Sequence, residues 1–440
     1  MRSSVSKQYE AVLEGKKVEV IYDDRVIWTS PQEIKVQEAL YADIDGDDRV
    51  ELILLCWKIG RYGRSRPFWI EEDEKKWSQH IFVYTCKGDE IAPKWMSSYI
   101  GQDVVTMEGI AGERSCTKLL LTDREGEVSR WAWDSWGFAK EDTEVSFVVF
   151  GDNLIHEPIY QYGLHNDKDF SFLFENMRDV IDGSDIAVLN QETPLTDEPA
   201  CYSGYPRFGT PVEVGEAVVE AGFDVVTCGT NHALDQGTDG VDFTKEFFTS
   251  RDVLCLGIQR KEEREYEPYT LLTRKGIRFA LLNYTYGING PASLADHGHM
   301  VHLLEDEDQI RMDLERAGAE SDFVIVFVHW GTEYAQEADD FQKRWAQVFL
   351  ECKADVVVGT HPHALQPYEM LADESGHVML LYYSIGNYIS AQSEQACVKG
   401  GVAEFTVSLT PDGYQAVKYG LKPLQITWQE DGKCTVDMCP

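Results

Sequence analysis

The pattern of hydrophobic and polar positions changes near residue 145. Before that point the apolar segments are short and are separated by turns rich in Gly, Asp and Lys; examples are VEVIY, ELILLCW, HIFVYTC and TKLLLTD. Short apolar runs bounded by turn residues are typical of β-strands. Residues 1–144 are therefore predicted to form an all-β domain.

From Val145 onward, strand-like segments alternate with helical ones. The predicted helices cover residues 170–181, 308–319 and 341–352. The strand-like segments are VSFVVFGD, DIAVLNQE, DVVTCGT, RFALLNYTYG, DFVIVFVHWG, ADVVVGTHPH and MLLYYSIGNYI. This alternation predicts a layered α/β domain over residues 145–440, closed by a last group of β-segments.

Two of the predicted helices have an apolar stripe at helical spacing, which indicates a face packed on the core. In the first helix the stripe consists of Phe170, Leu173, Phe174, Met177, Val180 and Ile181. In the last helix it consists of Phe341, Trp345, Val348, Phe349 and Cys352. We interpret both stripes as core and not as part of a cofactor site.

The net charge of the chain argues against some classes of binding partner. The 440 residues include 40 Lys and Arg against 76 Asp and Glu, which gives a formal net charge of −36. This charge argues against binding to nucleic acid or to an anionic membrane surface. No Gly-rich phosphate loop of the Rossmann or Walker type follows a predicted strand, so nucleotide binding by those routes is not expected.

The sequence also bears on location. The longest apolar runs, such as residues 52–57 and 323–328, are far shorter than the roughly 18 residues of a spanning helix, so no membrane span is expected. Residues 1–17 lack the apolar core of a signal peptide, and the ten cysteines are scattered singly. These features favour a soluble, cytoplasmic protein as the chain stands, and a cell-surface protein if an anchor has been removed.

One turn in the first half, DIDGDDRVEL, is dense in carboxylates. Its candidate ligands are Asp43, Asp45, Asp47 and Glu51. Oxygen ligands at this spacing suit Ca²⁺, although the segment lacks the full EF-hand pattern. The turn resembles the DxDGDxxxE turns of FG-GAP and VCBS-type β-propeller repeats. Two interpretations stay open, a calcium site and an acidic turn between two strands.

In the second half, polar side chains with metal-binding chemistry recur directly after the apolar strands. They are Asp152, Asn190, Glu192, Asn231, His232, His329, His361 and His363. The carboxyl ends of strands in an open α/β sheet form the edge where active sites lie. Loops from five strands are therefore expected to converge on one pocket.

The chemistry of this set favours a transition metal. Carboxylates, an amide oxygen and imidazoles are ligands of Zn²⁺, Mn²⁺ and iron, and pairs of such ions lie about 3.5–4 Å apart. Taken singly, Asp152, Asn231 and His232 are better explained as turn or capping residues, and His329 is equally explained as a core residue. The His361-Pro-His363 segment is a stronger signal, because a loop bent at proline can turn both rings toward one site.

Six blocks of sequence point to a family. VVFGD, LNQETPLT, TCGTNHALDQG, VHWGTEY, VVVGTHPHALQPYE and YYSIGNYI occur in this order between residues 145 and 410. In this they resemble the bacterial capsule-synthesis family CapA, whose members serve poly-γ-glutamate production. That family is similar in fold to the calcineurin-like metallophosphoesterases, in which two sheets flanked by helices hold a two-metal centre. The resemblance implies this sandwich for residues 145–440 and a divalent transition metal, Mn, Fe or Zn, as the cofactor.

The resemblance also implies roles for individual residues. One metal is expected on Asp152 and His363, the other on Asn231, His329 and His361, with Glu192 bridging them. His232 is expected to be the acid that protonates a leaving group, and Asp235 to orient its imidazole. The residues expected to line the substrate pocket, or to support it by hydrogen bonds, are Asn190, Arg207, Trp330, Glu333, Tyr334 and Asn387.

The chain departs from the phosphoesterase pattern at two places. That pattern begins with Asp-x-His, whereas this chain has Asp152-Asn153-Leu154, so one imidazole is missing. His156 is either its replacement or a surface histidine. Glu192 stands where phosphoesterases have Asp. One metal, or none bound tightly, is therefore the alternative to two.

Two functions follow as hypotheses. The first is a metal-dependent hydrolase of capsule or poly-γ-glutamate metabolism, acting on an anionic polymer or a small ester or amide beside the capsule-synthesis machinery. The second is a non-catalytic accessory protein that keeps the pocket to bind a polymer. A chain with net charge −36 repels a polyanion unless metals or local cations such as Arg207 reverse the field.

Overall fold

The computed structural model describes residues 2–5, 9–59, 75–112, 116–263, 265–289 and 300–439. The chain divides into two compact units. The first contains residues 1–143 and 409–413, and the second contains residues 144–408 and 414–440. Within the described ranges, no helix is both long enough and apolar enough to cross a membrane.

The first unit is built from β-strands, as the sequence predicted. Its strands are β1 (Arg2–Val5), β2 (Glu10–Glu14), β3 (Lys17–Tyr22), β4 (Arg25–Thr29), β5 (Ile34–Ala42), β6 (Glu51–Lys58), β7 (Ser78–Lys87), β8 (Glu90–Met96), β9 (Val104–Ala111), β10 (Thr117–Asp123), β11 (Val128–Asp134) and β12 (Gly137–Lys140). They form three four-stranded antiparallel sheets, each of four strands consecutive in the chain.

The middle sheet, β5 to β8, is covered on both faces. In β6, Leu52 and Leu54 pack with residues of the first sheet, whereas Ile53 and Leu55 pack with residues of the third. Successive side chains of a strand point to opposite faces. Residues 52–56 of this strand are all apolar because both faces of β6 are buried.

The second unit contains the helices and the remaining strands. The strands are β13 (Val145–Asn153), β14 (Ile186–Asn190), β15 (Leu195–Thr196), β16 (Thr210–Pro211), β17 (Val225–Thr227), β18 (Leu254–Leu256), β19 (Tyr269–Arg274), β20 (Ile277–Thr285), β21 (Phe323–His329), β22 (Val356–Thr360), β23 (Tyr368–Ala372), β24 (Val378–Tyr382), β25 (Asn387–Ile389), β26 (Lys399–Thr410), β27 (Gly413–Trp428) and β28 (Cys434–Met438). The helices are α1 (Glu157–His165), α2 (Arg178–Asp182), α3 (Val212–Ala221), α4 (Gly237–Thr249), α5 (Glu307–Glu320) and α6 (Asp340–Glu351).

Most of these strands belong to two large mixed sheets. The first has the order β18-β17-β14-β13-β26-β27-β28, with β25 also beside β13, and the second has the order β19-β20-β21-β22-β24-β23. The neighbours β13, β14, β17 and β18 run parallel, as do β20, β21, β22 and β24. Parallel strands place their carboxyl ends at one edge of each sheet.

The two sheets pack face to face, with helices outside. Phe147 and Val149 of β13 share one core with Phe279, Ile325 and Val358 of the second sheet. The opposite face of the first sheet is covered by α1 to α4, and the opposite face of the second by α5 and α6. This confirms the predicted sandwich of two sheets flanked by helices.

One predicted helix is wrong in its form. Residues 170–181 are not one α-helix but two 3-10 turns, Ser171–Leu173 and Glu175–Met177, followed by the short α2. Phe172 explains the difference, because it is buried together with the predicted stripe. A regular α-helix would turn Phe172 to the side opposite Phe170. In α6, Phe341 was predicted to face the core and is instead 37 % exposed.

Four parallel strands are each preceded by an aspartate that accepts a hydrogen bond from the backbone of the neighbouring strand. Asp185, Asp224, Asp322 and Asp355 accept hydrogen bonds from the backbone N–H groups of Ser146, Ala187, Arg278 and Val324, at 2.9, 2.9, 2.9 and 2.7 Å. These bonds satisfy backbone N–H groups at the amino ends of the strands. They also fix the register between neighbouring strands, whose carboxyl ends lie at the opposite edge of the sheet. For Asp355, burial raises the pKa to about 7 despite the bond from Val324.

The Asp355 carboxyl is predicted to make stability fall as pH rises. Because the pKa is about 7 in the native state and about 3.9 in an unfolded chain, the native state holds this proton more tightly, so the free energy of unfolding decreases between about pH 4 and pH 7. Asp355→Asn keeps an acceptor for Val324 and should stabilise the protein at pH 8, by about 1–3 kcal/mol, but not at pH 4. Thermal melts at both pH values measure this difference.

The matched control is Asp322→Asn, which alters the same contact at an exposed position. A gain at pH 8 that is equal for the two variants would contradict the assignment to Asp355.

Candidate metal centre

The carboxyl ends of strands from both sheets of the second unit meet in one buried pocket. The structure brings together Asp152, Asn190, Glu192, Asn231, His232, Asp235, His329, His361, His363 and Asn387, each at most 5 % exposed. The pocket therefore combines carboxylates, amides and imidazoles away from bulk water.

A bulge at Gly151 directs Asp152 into this pocket. The pairing of β13 with β14 shifts between Phe150 and Asp152, which is where a β-bulge re-aims a side chain. A Cβ at Gly151 would lie 1.9 Å from the carbonyl oxygen of Gly386. Only glycine allows β13 to approach β25 so closely, and this approach pairs Asp152 with Asn387.

Asp152 is held by hydrogen bonds to its neighbours. Its Oδ1 accepts from Asn190 Nδ2 at 2.7 Å, and its Oδ2 lies 3.0 Å from His363 Nδ1. Asn387 Oδ1 also lies 3.0 Å from His363 Nδ1. Asn190 and Asn387, both predicted to line or support the pocket, position Asp152 and His363.

The His-Pro-His loop turns both rings inward at a cost in backbone strain. His361 has φ of 96° and His363 has φ of 55°, values that side chains with a Cβ rarely adopt. The two rings lie 5.7 Å apart, centroid to centroid. Strain of this kind persists where the surrounding structure enforces it, and it is common at functional sites.

Asn231 and His329 form the other side of the pocket. His329 Nε2 lies 2.9 Å from Asn231 Oδ1, and His329 Nδ1 lies 3.0 Å from Thr360 Oγ1. The ring of His329 is 4.8 Å from that of His361. Three predicted ligands from separate loops are thus adjacent.

Glu192 lies between the two sides. Its Oε1 is 3.7 Å from His329 Nε2 and 3.8 Å from His363 Nε2. Within the described part of the chain, neither carboxylate oxygen has a hydrogen-bond partner, and neither does His361 Nδ1. Ligand atoms of Glu192, His361 and His363 all lie within 4.8 Å of one another. Buried polar atoms without partners are costly, so this donor set fits a cation.

Burial and mutual repulsion set the protonation of these groups. Burial, with smaller effects of other imidazoles, lowers the pKa of His329 and His361, so both rings are neutral and have a lone pair to donate. Burial, with Asp152 adding to it, raises the pKa of Glu192. For His363, burial is outweighed by Glu192 and Asp152, which raise its pKa to about 9. Glu192 and Asp152 therefore favour the charged form of His363.

The His232 ring is oriented by Asp235. His232 Nδ1 lies 2.6 Å from Asp235 Oδ2, and that oxygen also accepts from the backbone N–H of Phe208 at 2.7 Å. The Phe208 ring meets His232 edge to face at 4.7 Å. Arg207 donates to the carbonyl oxygen of Asp235 at 3.1 Å, while its residue surface is exposed.

His156 lies near the pocket, and burial lowers its pKa. Its Nδ1 lies 3.1 Å from the carbonyl oxygen of Leu154 and 3.3 Å from the backbone nitrogen of Ala391, and its ring contacts Phe208 at 5.3 Å. Leu154, where the phosphoesterase pattern has histidine, is 2 % exposed. The bonds of His156 Nδ1 are thus to the backbone, and its role as a ligand stays a prediction.

The residues of the HWGTEY block differ in their exposure to solvent. Trp330, predicted to line the substrate pocket, is 0 % exposed, and its indole N–H donates to the Tyr383 carbonyl at 2.9 Å. Its place in the substrate pocket stays a prediction. Glu333 and Tyr334 are exposed. The Tyr334 ring lies 6.3 Å from that of His363.

Two contributors were missed by the sequence analysis. Phe208 follows Arg207, and its role depends on a backbone N–H that no side-chain pattern reveals. Tyr286 packs its ring on His361 at 4.6 Å. It follows β20, so the rule that located the other residues at strand ends was sufficient to find it.

The acidic turn of the first unit is paired with a lysine of β8, Lys94. Ligand atoms of Asp43, Asp45 and Glu51 lie within 4.8 Å of one another. Lys94 Nζ lies 2.7 Å from Asp45 Oδ2 and 2.6 Å from Glu51 Oε1. Asp43 and Asp47 accept bonds from backbone N–H groups of the turn. Calcium binding stays a prediction, with Lys94 as a competitor for two of the carboxylates.

Sequence comparison identifies relatives for the second unit. The family model described as "Bacterial capsule synthesis protein PGA_cap" matches residues 146–392, more than half of the 440 residues. The "PGA biosynthesis protein CapA" of Bacillus subtilis (strain 168) is 27 % identical over 302 residues, covering 62 % of this chain and 77 % of that protein. The "Capsule biosynthesis protein CapA" of Bacillus anthracis is 24 % identical over 265 residues, covering 58 % and 61 %.

Solved structures are similar over part of the chain. The NAD nucleotidase NadN of Haemophilus influenzae has a TM-score of 0.39 and 14 % identity, covering 66 % of this chain and 53 % of that one. The sulfate thiohydrolase SoxB of Thermus thermophilus has a TM-score of 0.33 and 15 % identity, covering 65 % and 43 %. The chain thus spans about half the length of these two proteins.

Replacing Lys94 is predicted to make the acidic turn dependent on calcium. Lys94→Met leaves the carboxylates of Asp45 and Glu51 without their ammonium group, which should destabilise the first unit by about 2–4 kcal/mol. Ca²⁺ should restore the melting temperature of Lys94→Met and raise that of the wild type less. Mg²⁺, which demands a stricter geometry, is the control ion. An equal response of both proteins to Ca²⁺ would refute the competition.

Proposed function

The chain belongs to the PGA_cap family of bacterial capsule synthesis proteins, and we propose that it is a metal-dependent hydrolase. The observation that carries the proposal is the carboxylate of Glu192, which is buried, without a hydrogen-bond partner in the described part of the chain, and surrounded by imidazoles. A hydrophobic pocket or a hydrogen-bonded core does not leave a carboxylate in this state.

The residues that would hold metal lie on both sides of Glu192. We assign Asn231, His329 and His361 to one ion, Asp152 and His363 to a second, and Glu192 to both. The chemistry that Mn, Fe or Zn supplies there is Lewis-acid polarisation of a phosphoryl or carbonyl oxygen. The side of His329 and His361 offers one more protein ligand, since Leu154 replaces an imidazole on the other side. We therefore expect the first ion to bind more tightly than the second.

The His232–Asp235 pair supplies the proton. Asp235 accepts from Nδ1 and fixes the tautomer and orientation of the ring, so that Nε2 is the atom that delivers a proton to the leaving-group oxygen. The Phe208 contact and the Phe208 N–H keep ring and carboxylate in place. His232 is thus an acid next to the proposed metal ligands and is not itself one of them.

The biological setting comes from the relatives. Their names place them in PGA and capsule biosynthesis. We propose the setting of poly-γ-glutamate and capsule synthesis for this chain, with the capsule-synthesis machinery as a partner. The substrate is then an anionic polymer or a small ester or amide. The division into an all-β domain, residues 1–144, and a catalytic domain, residues 145–440, belongs to this proposal.

A second function is favoured by one observation. Leu154 is buried where the phosphoesterase pattern has an imidazole, which weakens one side of the metal centre. A protein that binds a polymer without cleaving it would need no complete pair of metals. Metal bound without hydrolysis of any phosphoester or γ-glutamyl amide would support this function.

Metal content is predicted to depend on His361. Protein purified without a chelator or a His-tag should contain one tightly bound Mn, Fe or Zn and a second after reconstitution, as measured by elemental mass spectrometry. His361→Ala removes a ligand of the tighter ion and should lower the content by at least half. His165→Ala, at an exposed position of α1, is the matched control. Equal metal in His361→Ala and His165→Ala would contradict the assignment.

Loss of the proton donor is predicted to affect turnover and not metal. With bis(p-nitrophenyl) phosphate and p-nitrophenyl phosphate as probes, His232→Asn should lower kcat about 10²–10⁴-fold, and Asp235→Asn should lower it less, because the imidazole remains. Both variants should keep the metal content of the wild type. A full loss of metal in His232→Asn would show that this ring is a ligand.

A further inference from the structure

Three tyrosines are exposed around the histidines of the pocket. Tyr205 is 77 % exposed, Tyr334 is 43 % exposed and Tyr286 is 36 % exposed. We call them the tyrosine rim. Large exposed aromatic rings cost solvation free energy, and a group of them beside a pocket marks a binding surface.

Two rings of the rim lie beside histidines of the pocket, and the third lies beside Phe208, which itself contacts His232. Tyr286 packs on His361 at 4.6 Å, and Tyr334 lies 6.3 Å from His363. Tyr205 contacts Phe208 at 6.5 Å, and Phe208 contacts His232 at 4.7 Å. The rim therefore borders both the proposed metal ligands and the proposed acid.

The backbone holds two of these rings in place. Tyr334 has φ of 66°, a left-handed conformation that is unusual for an aromatic residue, and its N–H donates to the Pro362 carbonyl at 2.7 Å. Tyr205 is in a tight loop that is closed by two backbone bonds between Ser203 and Gly209, at 3.1 and 3.0 Å. Ser203 Oγ also donates to the Arg207 carbonyl, at 2.7 Å. Strain tolerated to present an exposed ring indicates a role for that ring.

The charges near Tyr334 are negative, whereas the Tyr205 loop has one exposed cation, Arg207. Burial first, and then the carboxylates of Glu333 and Glu394, raise the pKa of Tyr334 to about 12, so its phenol is neutral at physiological pH. Both of these glutamates are exposed. A substrate with a carboxylate on every repeat would bring more negative charge to this surface. An uncharged planar ring avoids the repulsion and can stack on the tyrosines.

We propose that the tyrosine rim binds an uncharged aromatic ring on the leaving group, so that the substrate is a phosphoester of a ring-bearing alcohol. This proposal rests on the proposed hydrolase function. In the reaction, a water oxygen forms a bond to phosphorus as the bond from phosphorus to the leaving-group oxygen breaks. The electron pair of the broken bond stays on that oxygen, which takes a proton from His232. The attacking water loses one proton to solvent, and solvent returns one proton to His232. The products are the ring-bearing alcohol and phosphate.

The test compares two phosphates of similar volume and intrinsic reactivity, benzyl phosphate and cyclohexylmethyl phosphate, with the Mn-loaded full chain. The wild type should prefer the benzyl compound by about tenfold in kcat/KM, the size expected of aromatic stacking. In the double variant Tyr205→Leu, Tyr334→Leu, which keeps apolar bulk, the ratio should fall close to one. Tyr419→Leu, an exposed tyrosine of β27, should keep the ratio of the wild type.

A binding measurement separates this proposal from the hydrolase function. Calorimetric titration with benzylphosphonate and cyclohexylmethylphosphonate, neither of which can be hydrolysed, should show the same preference and the same loss in the double variant. Equal binding of both phosphonates by the wild type would overturn the rim proposal and leave the hydrolase function intact. Binding of neither phosphonate, with no hydrolysis of either phosphate, would overturn both.

Discussion

The second unit is organised around a carboxylate that the protein alone does not neutralise well. Glu192 is 1 % exposed, and the imidazole nitrogens nearest to it are 3.7 and 3.8 Å away, beyond hydrogen-bond distance. An isolated buried carboxylate is among the most costly groups in a protein interior. The positive charge of His363 offsets this cost only in part. A cation between Glu192 and the surrounding nitrogens and oxygens would satisfy all of these groups at once.

The architecture explains how such a costly arrangement is maintained. Two sheets packed face to face share one apolar core, and their parallel strands deliver each ligand loop to the same edge. At that edge the chain accepts a bulge at Gly151 and left-handed backbone at His361 and His363. The free energy for this strain comes from the cores on both faces of each sheet, because only a rigid scaffold can hold strained residues in one geometry.

Some residues of this site can be predicted from the sequence, because they occupy regular positions relative to the strands, and others cannot. Asp152, Glu192, Asn231, His329, His361 and His363 stand directly after apolar strands, so the strand pattern and the carboxyl-edge rule are enough to place them together. The four aspartates that precede parallel strands leave an equally regular signal, which marks the opposite edge. Phe208 leaves none, because its function depends on a backbone N–H and on how a loop folds back over His232. Residues 170–181 were predicted as one helix because the burial of Phe172 depends on tertiary packing, which the helical pattern of the sequence does not show.

The central claim is that a metal ion binds at Glu192, and anomalous X-ray diffraction from crystals grown with Mn²⁺ tests it directly. We expect an anomalous peak in contact with the Glu192 carboxylate and with His361, and a weaker peak on the side of Asp152 and His363. Crystals in which Mn²⁺ binds only at the protein surface, with the Glu192 pocket empty at saturating metal, would contradict this account.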